Sequence, residues 1–218
     1  MDTVLITGAN RGLGEALVQE FSEHDYNVIV HSRQTLDGVW PGLEKITGDL
    51  RFPAVISEIG RVALERGVSI LINNAGTYIN KPFDKMMSNE FRKVIETNLI
   101  APILVTQAVW PAFWSVGTGI VVNINSLAGQ AGGNGEAAYA ASKHGLAGFS
   151  KALQYDGTRD NVRVINMFLG ALRTDMTRGR PDHDKFIDPF EVADLIVRLC
   201  KNYKTLRVTD LTVARSIY

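Results

Sequence analysis

Short apolar runs alternate with segments of helical period along the whole chain. Val4-Leu5-Ile6, Val28-Ile29-Val30, Ile70-Leu71-Ile72, Ile120-Val121-Val122-Asn123-Ile124, Val162-Arg163-Val164-Ile165 and Val208 to Val213 read as strands. Most are apolar at successive positions, so both faces of their sheet should be covered. Between them, Leu13, Ala16, Leu17 and Phe21 recur at helical spacing, as do Val55, Ile59, Val62 and Ala63. Long helices are expected over about 88–115 and 137–157. Val192, Leu195, Ile196 and Leu199 mark a last one, opened by Asp188-Pro189. Residues 32–48, with Gly38, Pro41, Gly42 and Gly48, read as irregular. No linker, repeat or change of composition interrupts the alternation. Residues 1–218 are therefore expected to form a single α/β domain, doubly wound about a parallel sheet of about seven strands.

Composition narrows the function. The chain has 218 residues, 45% hydrophobic and 21% charged, and Lys+Arg (23) balances Asp+Glu (23). Proteins that coat phosphate backbones carry a basic excess, so nucleic acid is not an expected partner. No run is read as approaching the ~18 apolar residues that span a bilayer, so no membrane is expected either. Met1-Asp2-Thr3-Val4 has no basic segment before its apolar run and does not read as a signal peptide. Cys200 is the only cysteine. That excludes an intrachain disulfide and a multi-cysteine metal site, and it suits the reducing cytoplasm.

The first strand runs into Thr7-Gly8-Ala9-Asn10-Arg11-Gly12-Leu13-Gly14, and a helix follows. Glycines at this place allow a tight turn, a close approach of phosphate to backbone, and close packing of helix on strand. The helix N-terminus adds free N–H groups and a partial positive charge, so a pyrophosphate is the expected ligand. The second strand ends His31-Ser32-Arg33, without the acid that would accept from an adenosine ribose. Arg33 can instead fork onto a 2′-phosphate, with Arg11 as a second cation, which favours NADP(H) over NAD(H). Asp37 is the rival, as an acceptor for the ribose hydroxyls.

Farther on come Asn73-Asn74-Ala75-Gly76, Asn98 within Glu96-Thr97-Asn98-Leu99, Ser126 at the end of a strand, and Tyr139-Ala140-Ala141-Ser142-Lys143. Tyr139 and Lys143, at i and i+4, share one helix face. Ser126 stands thirteen residues before Tyr139. With the Gly8, Gly12, Gly14 spacing, this ordered set resembles the short-chain dehydrogenase/reductase family over nearly the whole chain. The resemblance implies a Rossmann-type fold and reduction of a carbonyl (a ketone, an aldehyde or a 3-oxoacyl group), or oxidation of the alcohol.

It also implies roles. Tyr139 would donate the proton, and a nearby Lys143 ammonium would favour its phenolate and hold the nicotinamide ribose. Ser126 would polarise the carbonyl, and Asn98 would hold a water linking Lys143 to solvent. Ser32 and Arg33 would meet the adenosine phosphate. Asp49-Leu50, after a third strand, and Asn74-Ala75-Gly76 would line the adenosine side. Gly170, Leu172 and Thr174 would meet the nicotinamide, although Leu169 stands where the family usually has proline. The 88–115 and 137–157 helices would form a homodimer interface, with Trp110, Phe113 and Trp114 partly in it. The complete Asn98, Ser126, Tyr139, Lys143 set separates an enzyme from the alternative, a non-catalytic NADP(H)-binding redox sensor. His144 reads as structural.

Residues Thr177 to Ile187 are short and polar, with Arg178, Arg180, Asp182, His183, Asp184 and Lys185. They are expected to leave an open mouth, suited to small or carrier-linked carbonyls or to a negatively charged substrate. A solvated loop is the plainer alternative.

Overall fold

The structure, a computed structural model, describes residues 1–35, 40–201 and 206–216. Asp37 lies outside the described residues. Seven strands form one sheet: β1 (Thr3–Thr7), β2 (Asn27–Ser32), β3 (Glu44–Thr47), β4 (Val68–Asn73), β5 (Gly119–Ser126), β6 (Val162–Leu169) and β7 (Asp210–Val213). Their order is β3-β2-β1-β4-β5-β6-β7, and every pair is parallel. The apolar runs have the expected use. Val4, Ile6, Val28, Val30, Ile70 and Ile72 pack under α1 (Leu13–Glu23) and α6 (Pro189–Leu199). Leu5, Ile29 and Leu71 face α2 (Pro53–Glu65) and α4 (Ala101–Val116) on the other side. Burial of both faces supplies the main driving force, at ~25 cal/mol per Å² of apolar surface. Asp188 opens α6 as expected, its carboxylate accepting from the Phe190 N–H at 2.9 Å.

Three readings need correction. Residues 32–48 are not wholly irregular, because they contain β3. It is an edge strand with one buried side chain, Ile46, so it carries almost no hydrophobic signal. The helix over 88–115 is broken. It consists of α3 (Ser88–Ile95), a π turn (Glu96–Ile100) and α4. Pro102 has no N–H, so the carbonyl of Asn98 lacks the donor an unbroken α-helix would give it. Finally, the combined run Ser88–Val116 is long and apolar enough to cross a membrane by length and composition. Thr97, Asn98, Thr106 and Gln107 interrupt its apolar sequence and conceal this. Its Val105, Val109, Ala112 and Phe113 are buried against the sheet.

Polar side chains also cross the sheet at one level. Asn73, Asn123 and Asn166 are register partners on β4, β5 and β6. Asn73 donates to Asn123 and Thr106 at 2.8 and 2.9 Å, and Asn123 donates to Ser150 at 2.9 Å. Asn125 donates to Asn166 at 3.0 Å and to the Lys143 carbonyl at 3.1 Å. Such a buried network penalises any slip of register. It also ties α5 (Ala137–Arg159) to the ends of the strands that frame the site.

Candidate active site

The strand order reverses between β1 and β4, and helices leave the sheet to opposite sides there. A cleft of about 790 Å³ opens at the C-terminal edge at this point. Gly8, with φ +68°, is pressed against the turn after β4, where an added Cβ would lie 2.8 Å from Ala75 Cα. A Cβ on Gly14 would lie 2.1 Å from the Gly8 carbonyl. The Thr7 hydroxyl accepts from the N–H groups of Asn74 and Ala75 at 3.0 and 3.1 Å. The Asn74 amide returns bonds to the carbonyls of Thr7 and Gly8 at 2.9 and 3.0 Å. The two turns therefore form one rigid floor. No side chain caps the first turn of α1, whose N-terminus faces the cleft.

At one end of the cleft stand Arg11, Arg33, Asp49 and Leu50. Arg51, which belongs to none of the sequence motifs, joins them. It binds both Asp49 oxygens at 2.7–3.1 Å and holds that carboxyl below its usual range, with a smaller contribution from Arg33. Ser32 does not reach the cleft. It is fully buried, and its hydroxyl turns back to the Gln34 carbonyl at 2.5 Å. His31 lines the cleft instead, with Nε2 on the Gly48 carbonyl at 2.9 Å.

At the other end, Ser126, Tyr139 and Lys143 converge with Gly170, Leu172 and Thr174. Leu172 forms a strand-like bridge to Ile187, and the Thr177 hydroxyl donates to the Leu172 carbonyl at 2.5 Å. These bonds fix the loop that lacks the usual proline. Lys143 Nζ donates to the Ile124 carbonyl at 2.7 Å and lies 5.8 Å from the centre of the Tyr139 ring. Burial pushes the Lys143 ammonium down to about 8. Burial also raises the Tyr139 hydroxyl; Ser126, as a hydrogen-bond partner, lowers it, and Glu136 raises it again. The hydroxyl is thus kept as an acid at neutral pH.

Asn98 is placed differently from the other three. It is buried behind the cleft wall, and its side chain is engaged at both ends. Oδ1 accepts from the Thr77 N–H, and Nδ2 donates to the Thr77 carbonyl, both at 2.8 Å. Nδ2 also reaches Ser142 at 3.3 Å. His144 is exposed and bonds its own helix at Ala140.

Residues 2–185 match the short chain dehydrogenase family. The chain belongs to that family. It is an oxidoreductase, and its relatives are named as reductases and dehydrogenases. It is 30% identical over 217 residues to an acetoacetyl-CoA reductase of Shinella zoogloeoides, covering 91% of this chain and 90% of that one. It is 32% identical to the 3-oxoacyl-acyl-carrier-protein reductase FabG of Escherichia coli (strain K12), over 83% of this chain and 78% of that one. Among solved structures it resembles a 4-hydroxyisoleucine dehydrogenase complexed with NADH, with 27% identity and a TM-score of 0.87 over 99% and 98% of the two chains. A serine dehydrogenase from Escherichia coli gives 26% and 0.84 over 97% and 96%.

Two further side chains line the catalytic end, Tyr78 and Glu136, and neither belongs to the motifs that drew attention in the sequence. The Tyr78 ring meets the Tyr139 ring edge-on at 4.9 Å, and its hydroxyl donates to Glu136 at 2.8 Å. The spacing of Glu136, three residues before Tyr139, was the one available signal.

Proposed function

We propose that the protein is an NADP(H)-dependent carbonyl reductase in which Tyr139 donates the proton. The observation that carries this is a single cleft with Ser126, Tyr139 and Lys143 at one end and Arg11 and Arg33 at the other. The residues fit a dinucleotide: the floor is bare backbone at Gly8, Gly12 and Gly14, held so closely that Gly8 and Gly14 admit no Cβ, and the uncapped α1 N–H groups suit a pyrophosphate. Gly8, Gly12, Leu13 and Gly14 would hold the phosphates, with Asn10 beside them. Asp49, Leu50, Asn74, Ala75 and Gly76 would flank the adenosine, and Gly170, Leu172 and Thr174 the nicotinamide. When bound, reduced nicotinamide supplies a hydride.

The chain's own residues supply the rest. Ser126 hydrogen-bonds the carbonyl oxygen and orients it. Tyr139, protonated at neutral pH, gives its proton as negative charge develops on that oxygen. Lys143 stabilises the phenolate left behind. Because the Asn98 side chain is occupied by Thr77, its main-chain carbonyl, deprived of a donor by Pro102, is the group left to hold a water near Lys143. The alcohol oxidation runs through the same residues in reverse.

NADPH absorbance against ketones, aldehydes and 3-oxoacyl thioesters tests the activity. Cofactor choice has its own test. Asp49 is neutralised by Arg51, which leaves Arg11 and Arg33 to meet a 2′-phosphate. Both are exposed, so their effect is discounted for solvent. NADPH is expected to bind about tenfold more tightly than NADH at low salt, with the gap narrowing as salt rises. Arg33→Asp should reverse the order. Equal dissociation constants for the two cofactors in the unaltered protein would refute the assignment.

We also propose a homodimer through the 88–115 and 137–157 helices. Ile100, Leu104, Trp114, Val116 and Tyr155 are 40–83% exposed on these helices, an apolar surface that a second copy would cover. The reducing cytoplasm is the compartment that fits the free thiol of Cys200.

A further inference from the structure

Two opposite charges, Glu136 and Arg180, line the cleft, and neither forms an ion pair among the described residues. One is the Glu136 carboxylate, half-buried at the start of α5, one helical turn before Tyr139. Oε1 accepts from Tyr78 at 2.8 Å. Oε2 lies against Gly133, 2.6 Å from where a Cβ would sit, so only a glycine there leaves room for the carboxylate. The other is the Arg180 guanidinium, on the segment between β6 and α6. It lies 5.3 Å from the centre of the Phe186 ring and close enough to Tyr78 to act on its hydroxyl electrostatically.

The two charged groups come from different segments that line one cleft. Glu136 stands at the start of the helix that carries Tyr139, while Arg180 is carried by the segment between β6 and α6. Each is desolvated further when a substrate fills the space between them, so each then needs a partner. A neutral thioester brings no ionised group to the reacting carbon and leaves Glu136 uncompensated there. A simple oxo acid satisfies Arg180 and is repelled by Glu136. A ligand with an ammonium and a carboxylate on one small frame satisfies both.

Resting on the hydride-transfer reading above, we propose that the substrate is a small hydroxy- or oxo-substituted amino acid, its ammonium held by Glu136 and its carboxylate by Arg180. In the oxidative direction the carbinol C–H bond breaks, its hydride passing to oxidised nicotinamide. The hydroxyl proton passes to the Tyr139 phenolate, and the C=O bond forms. Reduction moves the same hydride and proton back.

The test compares kcat/KM for L- and D-threonine, L- and D-serine, 3-hydroxybutyrate (no ammonium), 1-amino-2-propanol (no carboxylate) and 2-butanol (neither), with NADP⁺ and with NAD⁺. Acetoacetyl-CoA is followed with NADPH. The best amino acid is expected to exceed 3-hydroxybutyrate and 1-amino-2-propanol by about tenfold or more, one charge-assisted contact each. Glu136→Gln should cut the ratio of amino acid to 3-hydroxybutyrate about tenfold. Arg180→Gln should cut the ratio of amino acid to 1-amino-2-propanol likewise. A structural role for either residue would lower all substrates together and leave these ratios fixed. Unchanged ratios, or acetoacetyl-CoA or 3-hydroxybutyrate as the best substrate, overturn the amino acid proposal and leave the hydride-transfer reading standing. No turnover of any of these compounds overturns the amino acid proposal, and no turnover of the ketones, aldehydes and 3-oxoacyl thioesters named above as well overturns both.

Discussion

Tyr139→Phe is expected to fold, to bind NADPH as the unaltered chain does, and to reduce its substrate at least ~1000-fold more slowly. The variant loses one oxygen. The phenyl ring keeps its edge-on contact with Tyr78, and the helix that carries it keeps its bonds to β5 through Asn125. Positioned proton transfer contributes typically 10²–10⁴-fold, and within the cleft no other group combines the place and the protonation state of this hydroxyl. Ser126 is a far weaker acid, and Lys143 is turned to the Ile124 carbonyl. Burial holds the Tyr139 hydroxyl above its ordinary value, so the rate of reduction should stay flat with pH through neutrality and fall only above about pH 8, where the Lys143 ammonium loses its proton. The two readouts are NADPH absorbance for turnover and nicotinamide fluorescence for binding. Turnover within tenfold of the unaltered chain would move the proton donor elsewhere. Lost cofactor binding would mean that the ring, and not only the hydroxyl, holds the site together.

The parts of this fold that were legible in sequence are those where a single physical requirement dominates. A strand buried on both faces must be apolar at successive positions, so β1, β2, β4 and β5 announce themselves. An edge strand has no such requirement, and Glu44-Lys45-Ile46-Thr47 reads as a loop. The glycine turn was legible because the backbone at Gly8 packs so closely on the next turn that an added Cβ would lie 2.8 Å from Ala75 Cα, which no side chain tolerates. Ser126, Tyr139 and Lys143 were legible because one short stretch of chain fixes their geometry. Asn98 was placed in the right helix, but the direction of its side chain depends on a π turn, and the sign of that turn is Pro102, four residues on. Ser32 was assigned to the cofactor from its place at the end of β2. Its own hydrogen bonds to Gln34 turn it inward. Tyr78, Glu136 and Arg180 come from three separate segments, and nothing in the order of residues says that they meet.

Lys143 joins the catalytic reading to the stability of the fold, and Lys143→Met is expected to change both. Turnover should fall about 100-fold or more, because the phenolate of Tyr139 loses the Lys143 ammonium beside its ring. Stability should respond with a definite sign. Burial lowers the folded-state pKa of Lys143 to about 8, against 10.5 for the ordinary side chain. Between these values the unfolded chain binds the proton and the folded chain does not, so this group makes stability rise with pH across that window. Below pH 8 both states are charged and the full cost of the buried ammonium is present. Above 10.5 it has vanished. A shift of this size corresponds to about 3 kcal/mol. Methionine removes that dependence but leaves the Ile124 carbonyl without its donor, at a cost of ~1–3 kcal/mol. At neutral pH the two effects offset, and the melting temperatures of the two proteins should differ little. At pH 10 the unaltered protein should be the more stable by ~2 kcal/mol. Denaturant unfolding of both proteins without cofactor, from pH 7 to pH 10.5, measures the difference, and groups common to both cancel. Parallel curves would show that Lys143 carries no proton linkage in the folded protein and titrates as an exposed lysine does.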